Sequence, residues 1–236
     1  MTVALGSAEM GQDNHHEALL VDYGGALTTP ISASFAQFCL ATGVSPERLR
    51  LVLARAYRGA GEGEGAVEAV DAERLDDLVP AVETGRMTVE DFNARLAVVL
   101  SEGLDKPIEA IDFTTRLFGG AVPDERMIEA VRSARTQGIR TALVSNTWGL
   151  RDSPPWCEEL FDEVVLSGRE GVRKPEPEIF HLTAGRVGVP PARCVFVDDI
   201  AANVDGARSI GMTGVVHRHP EITIPKLEEL FRISLL

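Results

Sequence analysis

Residues Cys194–Asp199 read CVFVDD, an unbroken apolar run that stops on two adjacent carboxylates. Ala18–Tyr23 (ALLVDY), Thr141–Asn146 (TALVSN), Glu163–Ser167 (EVVLS) and Thr213–His217 (TGVVH) share this short apolar build. Their hydrophobicity is continuous rather than alternating, which suits strands covered on both faces, as in a parallel sheet. Helical stretches separate the later runs. Asp124–Gln137 carries apolar residues at helical spacing and stops at Gly138, while Pro177–Val187 and Asn203–Ile210 read the same way, the last stopping at Gly211. This alternation predicts an α/β fold built on a doubly wound, Rossmann-like parallel sheet.

The region between the first and second runs breaks that rhythm. Residues 32–118 look mostly helical, with helix starts at Ser45-Pro46-Glu47-Arg48 and Thr88-Val89-Glu90-Asp91. The expected organisation is a loose tail over 1–17, a core of 18–31 and 119–236, and a helical insertion over 32–118. The Gly-rich stretch Arg58–Gly65 (RGAGEGEG) reads as a loop within the insertion. No internal repeat is visible.

Lys and Arg number 23 against 36 Asp and Glu, a net charge of −13, and hydrophobic residues make up 44% of the 236. That is enough apolar material for one or two cores, and the acidity opposes binding to nucleic acid or an anionic membrane, which depends on Lys and Arg neutralising phosphates. Cys39, Cys157 and Cys194 form no CxxC pair and no disulfide or zinc spacing. Residues 1–17 have neither a basic start nor a sustained apolar run, and no stretch reaches the length of a membrane span. A cytoplasmic protein with reduced thiols is the expectation.

Ligands of open α/β sheets bind outside the carboxyl ends of the strands. There the first run ends in Asp22, the second in Ser145-Asn146-Thr147 and the fourth in Asp198-Asp199, while Lys174 lies in Arg173-Lys174-Pro175-Glu176-Pro177 after the third. Each has an ordinary explanation alone; strand-end Asp residues often cap helices, and exposed Lys is common. Together they put a carboxylate, a hydroxyl, an ammonium and a carboxylate pair on one edge.

With these segments in this order, the sequence resembles the haloacid dehalogenase (HAD) superfamily, over about Ala18 to the end. Lys174–Phe180 (KPEPEIF) and Phe196–Asn203 (FVDDIAAN) are most similar to the phosphatase-like N-terminal domains of epoxide hydrolases and to bacterial sugar-phosphate phosphatases. The resemblance implies a hydrolase with an α-helical cap inserted after the first strand. It casts Asp22 as a nucleophile that forms an aspartyl-phosphate, splitting one hard displacement into two easier ones. Ser145, the backbone N–H of Asn146 and Gly25 would bind the phosphate, and Lys174 would neutralise it together with Asp22. The implied cofactor is Mg²⁺, which prefers oxygen ligands, held by Asp22, the Gly24 carbonyl and Asp199, with Asp198 behind them. The implied partner is a small-molecule phosphate, and both monomer and homodimer stay open.

One position departs from the phosphatase pattern. The family usually reads Asp-x-Asp where this chain has Asp22-Tyr23-Gly24, so the second Asp, a general acid/base, has no side chain here. Losing such a group typically lowers a rate by about 10²–10⁴. Tyr23 does not replace it, because alternation along a strand turns it to the opposite face. Three functions follow: a Mg²⁺-dependent phosphatase favouring good leaving groups or taking its proton from a cap residue or water; a weak or silent member that binds or regulates; and a metal-independent 2-haloacid dehalogenase. The third is disfavoured by Gly24, where its relatives usually carry Tyr, and by the Asp198-Asp199 pair.

Asn203 reads as a helix cap or as part of the phosphate or metal shell, Thr28 and Thr29 as turn formers or as substrate hydrogen-bonders where core and insertion meet, and Trp148 as mouth or packing. His181 reads as structural, and His217 and His219 as surface residues. Arg48, Arg50, Arg55, Arg58 and Arg74 lie on the insertion and are the candidates there to face an anionic substrate.

Overall fold

The computed structural model describes residues 15–58, 75, 77–149 and 154–236. Most of the N-terminal tail, the Gly-rich stretch from residue 59, Arg74 and the Arg58 side chain lie outside the described residues.

Five strands form one parallel sheet: β1 (Ala18–Val21), β2 (Arg140–Ser145), β3 (Glu163–Leu166), β4 (Cys194–Asp198) and β5 (Thr213–Val216), in the order β3-β2-β1-β4-β5. Every residue of β1 is fully buried, which explains its unbroken apolar run. Leu19, Val21, Leu143, Val195 and Val197 face one helical layer, and Ala18, Leu20, Ala142, Val144 and Phe196 face the other. Leaving β1, the chain first builds toward β3 and later returns to the other side of β1 as β4. A crevice therefore opens at the carboxyl ends of β1 and β4.

Helices α1 (Ile31–Thr42), α2 (Pro46–Arg58), α3 (Leu78–Glu83), α4 (Val89–Ser101) and α5 (Phe113–Phe118) surround a separate apolar cluster that includes Phe38, Leu53, Phe92 and Phe113. Two of their starts follow the sequence closely. Ser45 Oγ accepts from Arg48 N at 3.1 Å, and Thr88 Oγ1 accepts from Asp91 N at 3.1 Å. The chain leaves the sheet and returns to it at adjacent points, where Thr28 pairs antiparallel with Pro123 and Thr29 N–H donates to Val122 O at 2.8 Å.

The remaining helices cover the sheet: α6 (Glu125–Thr136), α7 (Pro155–Leu160), α8 (Ser167–Glu170), α9 (Pro177–Val187), α10 (Ala201–Ser209) and α11 (Pro220–Phe231), with a 3₁₀ turn at Pro191–Arg193. Asp124 caps α6 by accepting from Arg126 N and Met127 N, and α9 spans the residues its periodicity predicts. Helix α10 starts at Ala201, so Asn203 lies within its first turn and is not the cap. The end of the expected tail is anchored: His16 bonds Leu230 O and Thr213 Oγ1, and Glu17 pairs with Arg193. His217 is also a correction. It is 4% exposed and bonds Thr223 Oγ1 at 2.9 Å, because α11 folds back over it. Among the described residues, no helix is long and apolar enough to cross a membrane.

Candidate active site

Asp22 lies one residue beyond β1, and its N–H donates to Val197 O at 2.9 Å, which levels it with the end of β4. Leu19, Val21 and Tyr23 belong to one face of the sheet, where Tyr23 packs on Trp156 at 6.1 Å between ring centroids. The alternation expected from the sequence therefore holds as far as Tyr23.

Lys174 joins the two acidic strand ends. Its Nζ donates to Asp22 Oδ1 at 2.5 Å and to Asp198 Oδ2 at 2.8 Å, and it sits 5.6 Å from the centroid of the Phe196 ring. The lysine is 2% exposed. An ammonium so deeply buried is tolerated only when paired, and its two carboxylates raise its pKa against the opposing effect of burial. One positive charge shared by two carboxylates leaves an excess of negative charge. Burial, reinforced by Asp198, accordingly pushes the Asp22 carboxyl up to about 7 despite Lys174.

The adjacent aspartates are not equivalent. Both oxygens of Asp198 are engaged: Oδ2 accepts from Lys174 and from Asn203 Nδ2 at 3.0 Å, and Oδ1 accepts from Ile200 N at 2.8 Å. Asp199 Oδ1 is buried with no hydrogen-bond partner among the described residues, and burial with the Asp198 charge raises its carboxyl to about 6. Oxygens of Asp22, Asp198 and Asp199 lie within 4.8 Å of one another. Three close carboxylates, one with an orphaned oxygen, are a donor set fitted to a hard divalent cation.

Gly25 makes room for this cluster. Its φ is +79°, and a Cβ built there would lie 2.4 Å from Asp199 Oδ2. Its N–H donates to Thr28 Oγ1 at 2.9 Å, so Gly25 clears space for Asp199 and Thr28 shapes the turn. Gly24 has ordinary backbone geometry, and a Cβ there would meet Ile31 Cδ1 at 3.4 Å.

Ser145 closes β2 with 7% exposure. The Asn146 side chain does more than its backbone N–H suggested: Oδ1 accepts from Lys174 N at 2.9 Å and Nδ2 donates to Lys174 O at 3.0 Å. This two-point clasp fixes the main chain of the lysine loop.

The haloacid dehalogenase-like hydrolase model matches residues 16–211 of the chain. The chain belongs to that family. It is 33% identical over 143 residues to a phosphatase of Mycobacterium tuberculosis, covering 58% of this chain and 63% of that protein. It is 25% identical over 238 residues to bifunctional epoxide hydrolase 2 of Sus scrofa, covering 93% of this chain and 39% of that one. The chain thus spans less than two thirds of either relative. A crystal structure of an HAD family enzyme from Bacteroides thetaiotaomicron, in complex with magnesium and inorganic phosphate, shares the fold with a TM-score of 0.59 at 19% identity, covering 86% of this chain and 94% of that one.

In this HAD-like hydrolase, Asn203 is not the helix cap; it donates to Asp198 and so lies in the shell around the carboxylates, where its alternative reading put it. Other residues at the site escaped the sequence reading. Arg218 Nη1 donates to the Asp199 carbonyl at 2.8 Å. Trp148 is 7% exposed, and its ring packs on Phe92, Phe118 and Tyr57 in the helical cluster. The Trp148 Nε1 donates to Glu83 Oε1 at 3.0 Å. Glu83 gave no signal at all, since a Glu ending a helix is ordinarily exposed. His181 is exposed on α9, and the described insertion arginines Arg48 and Arg50 pair with Glu102 and Glu47.

Proposed function

We propose that this HAD-like hydrolase is a Mg²⁺-dependent phosphatase acting on a small phosphorylated molecule through an aspartyl-phosphate on Asp22. One observation carries the reading: a buried ammonium ties Asp22 to Asp198 beside an Asp199 oxygen that lacks a partner among the described residues. That arrangement places a lysine-paired carboxyl at the end of β1 while leaving a cation-binding oxygen open beside it. Asp22, Asp199 and the Gly24 carbonyl would hold Mg²⁺. When bound, the ion supplies positive charge against the phosphate oxygens.

Asp22 attacks phosphorus, the bond to the leaving oxygen breaks, and water then attacks the acyl phosphate to release inorganic phosphate and restore the carboxylate. Lys174 offsets the charge of Asp22 and of the incoming phosphate, and Ser145 with the Asn146 N–H binds a phosphate oxygen. Without an acid at position 24, the reaction favours leaving groups of low pKa. We read residues 32–118 as a cap over this crevice. A net charge of −13 favours a small phosphate over a polyanion.

Inorganic phosphate release from a panel graded by leaving-group pKa, with Mg²⁺ or EDTA, tests the assignment on wild type and Asp22→Asn. Metal-dependent release lost in Asp22→Asn is expected; release that survives either EDTA or the substitution refutes it. Chloride release from 2-chloropropionate in EDTA would instead establish the dehalogenase. A second reading, a silent binding protein, is favoured by the apolar Ile31 side chain that sits beside Gly24. It predicts stabilisation by Mg²⁺ with beryllium fluoride and no phosphate release from any substrate.

A further inference from the structure

Glu83, the last residue of α3, is 1% exposed and far from the sheet in sequence, yet it receives three donors from the loops that follow β2 and β3. Its Oε1 accepts from Trp148 Nε1 at 3.0 Å, and its Oε2 accepts from Asn146 Nδ2 at 3.2 Å and Arg173 Nε at 2.5 Å. Burying a carboxylate is unfavourable unless charge and hydrogen bonds compensate it, and here every compensating group comes from outside the helical layer. The backbone approach is equally close. Gly85 has φ +69°, and a Cβ there would lie 2.8 Å from Gly168 O; a Cβ on Gly168 would meet Thr147 Oγ1 at 2.9 Å. The missing side chain of Gly85 lets the turn after Glu83 rest directly on α8, and that of Gly168 makes room for Thr147.

The Asn146 amide that Glu83 engages is the one that clasps the main chain of Lys174 at both its N–H and its carbonyl. A continuous hydrogen-bonded path thus runs from the helical layer through Glu83 and Asn146 to Lys174, and on to Asp22 and Asp198. We propose that Glu83 is a positioning residue, a latch that holds the helical layer closed on the two loops and sets Lys174 through Asn146. The kinetic half of this inference rests on the phosphatase reading; the latch itself does not.

The chain has two tryptophans, so Trp156→Phe leaves Trp148 as the sole tryptophan, excited at a wavelength the two tyrosines do not absorb, and serves as the reference background. In it, Glu83→Ala and the near-isosteric Glu83→Gln, which puts an N–H₂ where only an acceptor fits, are compared by emission, acrylamide quenching and phosphate release. Circular dichroism verifies folding, and Glu83→Gln stands in should the alanine variant not fold. An opened latch gives red-shifted emission and a quenching constant raised at least about twofold, since Trp148 then meets water. It also lowers kcat by about tenfold or more with KM changed by less than about threefold, as expected for a group that acts in the transition state. In a cycle with Asn146→Ala, Glu83→Ala lowers kcat by no more than about a further twofold, because both act on one path. Unchanged emission in a folded variant, or fully additive losses, overturns the proposal. Should wild type release no phosphate, the phosphatase reading fails and Trp148 emission alone decides the latch.

Discussion

Gly24→Asp would return a carboxylate to the position where this chain departs from its family's phosphatase pattern. The backbone tolerates it. Gly24 is outside the left-handed region, and its new Cβ would meet Ile31 Cδ1 and Cγ1 at 3.4 and 3.5 Å, ordinary van der Waals distances. The added group would have an apolar side chain on one side and three carboxylates nearby, both of which favour its protonated form. A general acid needs that form at neutral pH. Positioned acids contribute about 10²–10⁴ in rate, and the lower figure is apt because Ile31 restricts the rotamers of the new side chain. We expect kcat on an alkyl phosphate such as glycerol phosphate to rise about a hundredfold. On p-nitrophenyl phosphate, whose leaving group departs without a proton, the rise stays below about tenfold. Steady-state phosphate release on the two substrates measures the ratio. Equal gains on both, or a loss on both at unchanged Mg²⁺ dependence, would refute the reasoning that an absent acid limits this enzyme.

Gly25→Ala pushes a methyl group to 2.4 Å from Asp199 Oδ2 at a φ of +79°. We expect the Mg²⁺ concentration for half-maximal activity to rise about tenfold or more, with about 1–2 kcal/mol of backbone strain lowering Tm by a few degrees; an unchanged metal titration would contradict the role given to Asp199. Lys174→Met leaves Asp22 and Asp198 facing each other without their shared ammonium. Loss of one partner from a buried ion pair typically destabilises by about 3–5 kcal/mol, and part of it should be regained at pH 5, where the carboxylates can protonate, as thermal melts at pH 5 and 8 would reveal. Without divalent cation, burial holds Asp22 at about 7 and Asp199 at about 6, both above the unfolded value of 3.8. The folded state then binds more protons than the unfolded chain between about pH 4 and 7, so these groups make metal-free stability fall as pH rises through that window. Mg²⁺ at about a hundredfold excess over Kd should add about 2.7 kcal/mol, or roughly 5–10 °C in Tm, and add more at pH 8 than at pH 5; equal shifts at both would sink the assignment.

The strands and their polar ends were legible because each is a local property of the chain. A strand covered on both faces must be apolar throughout, and the residue that leaves it at the crevice is the first free to be polar, as Asp22 and the Asp198-Asp199 pair are. Ser45 and Thr88 were equally readable, since an N-cap bonds within three residues of itself. Asn203 stayed ambiguous because its type suits both a cap and a polar site, while its actual partner, Asp198, is fixed by the packing of α10 against β4. Likewise, no local pattern distinguishes Asp198, bonded at both oxygens, from Asp199 with its open oxygen.

By itself the sequence determined a parallel α/β core with a helical insertion and brought one nucleophile candidate, one lysine and two strand-end carboxylates to a common edge. Only the tertiary structure decided how those charges are shared and what ties the insertion to them. Glu83 is the sharpest case: its three donors lie 63, 65 and 90 residues away. Burial of a charge is a property of the partners that surround it, and those partners exist only once the helical layer has closed on the sheet.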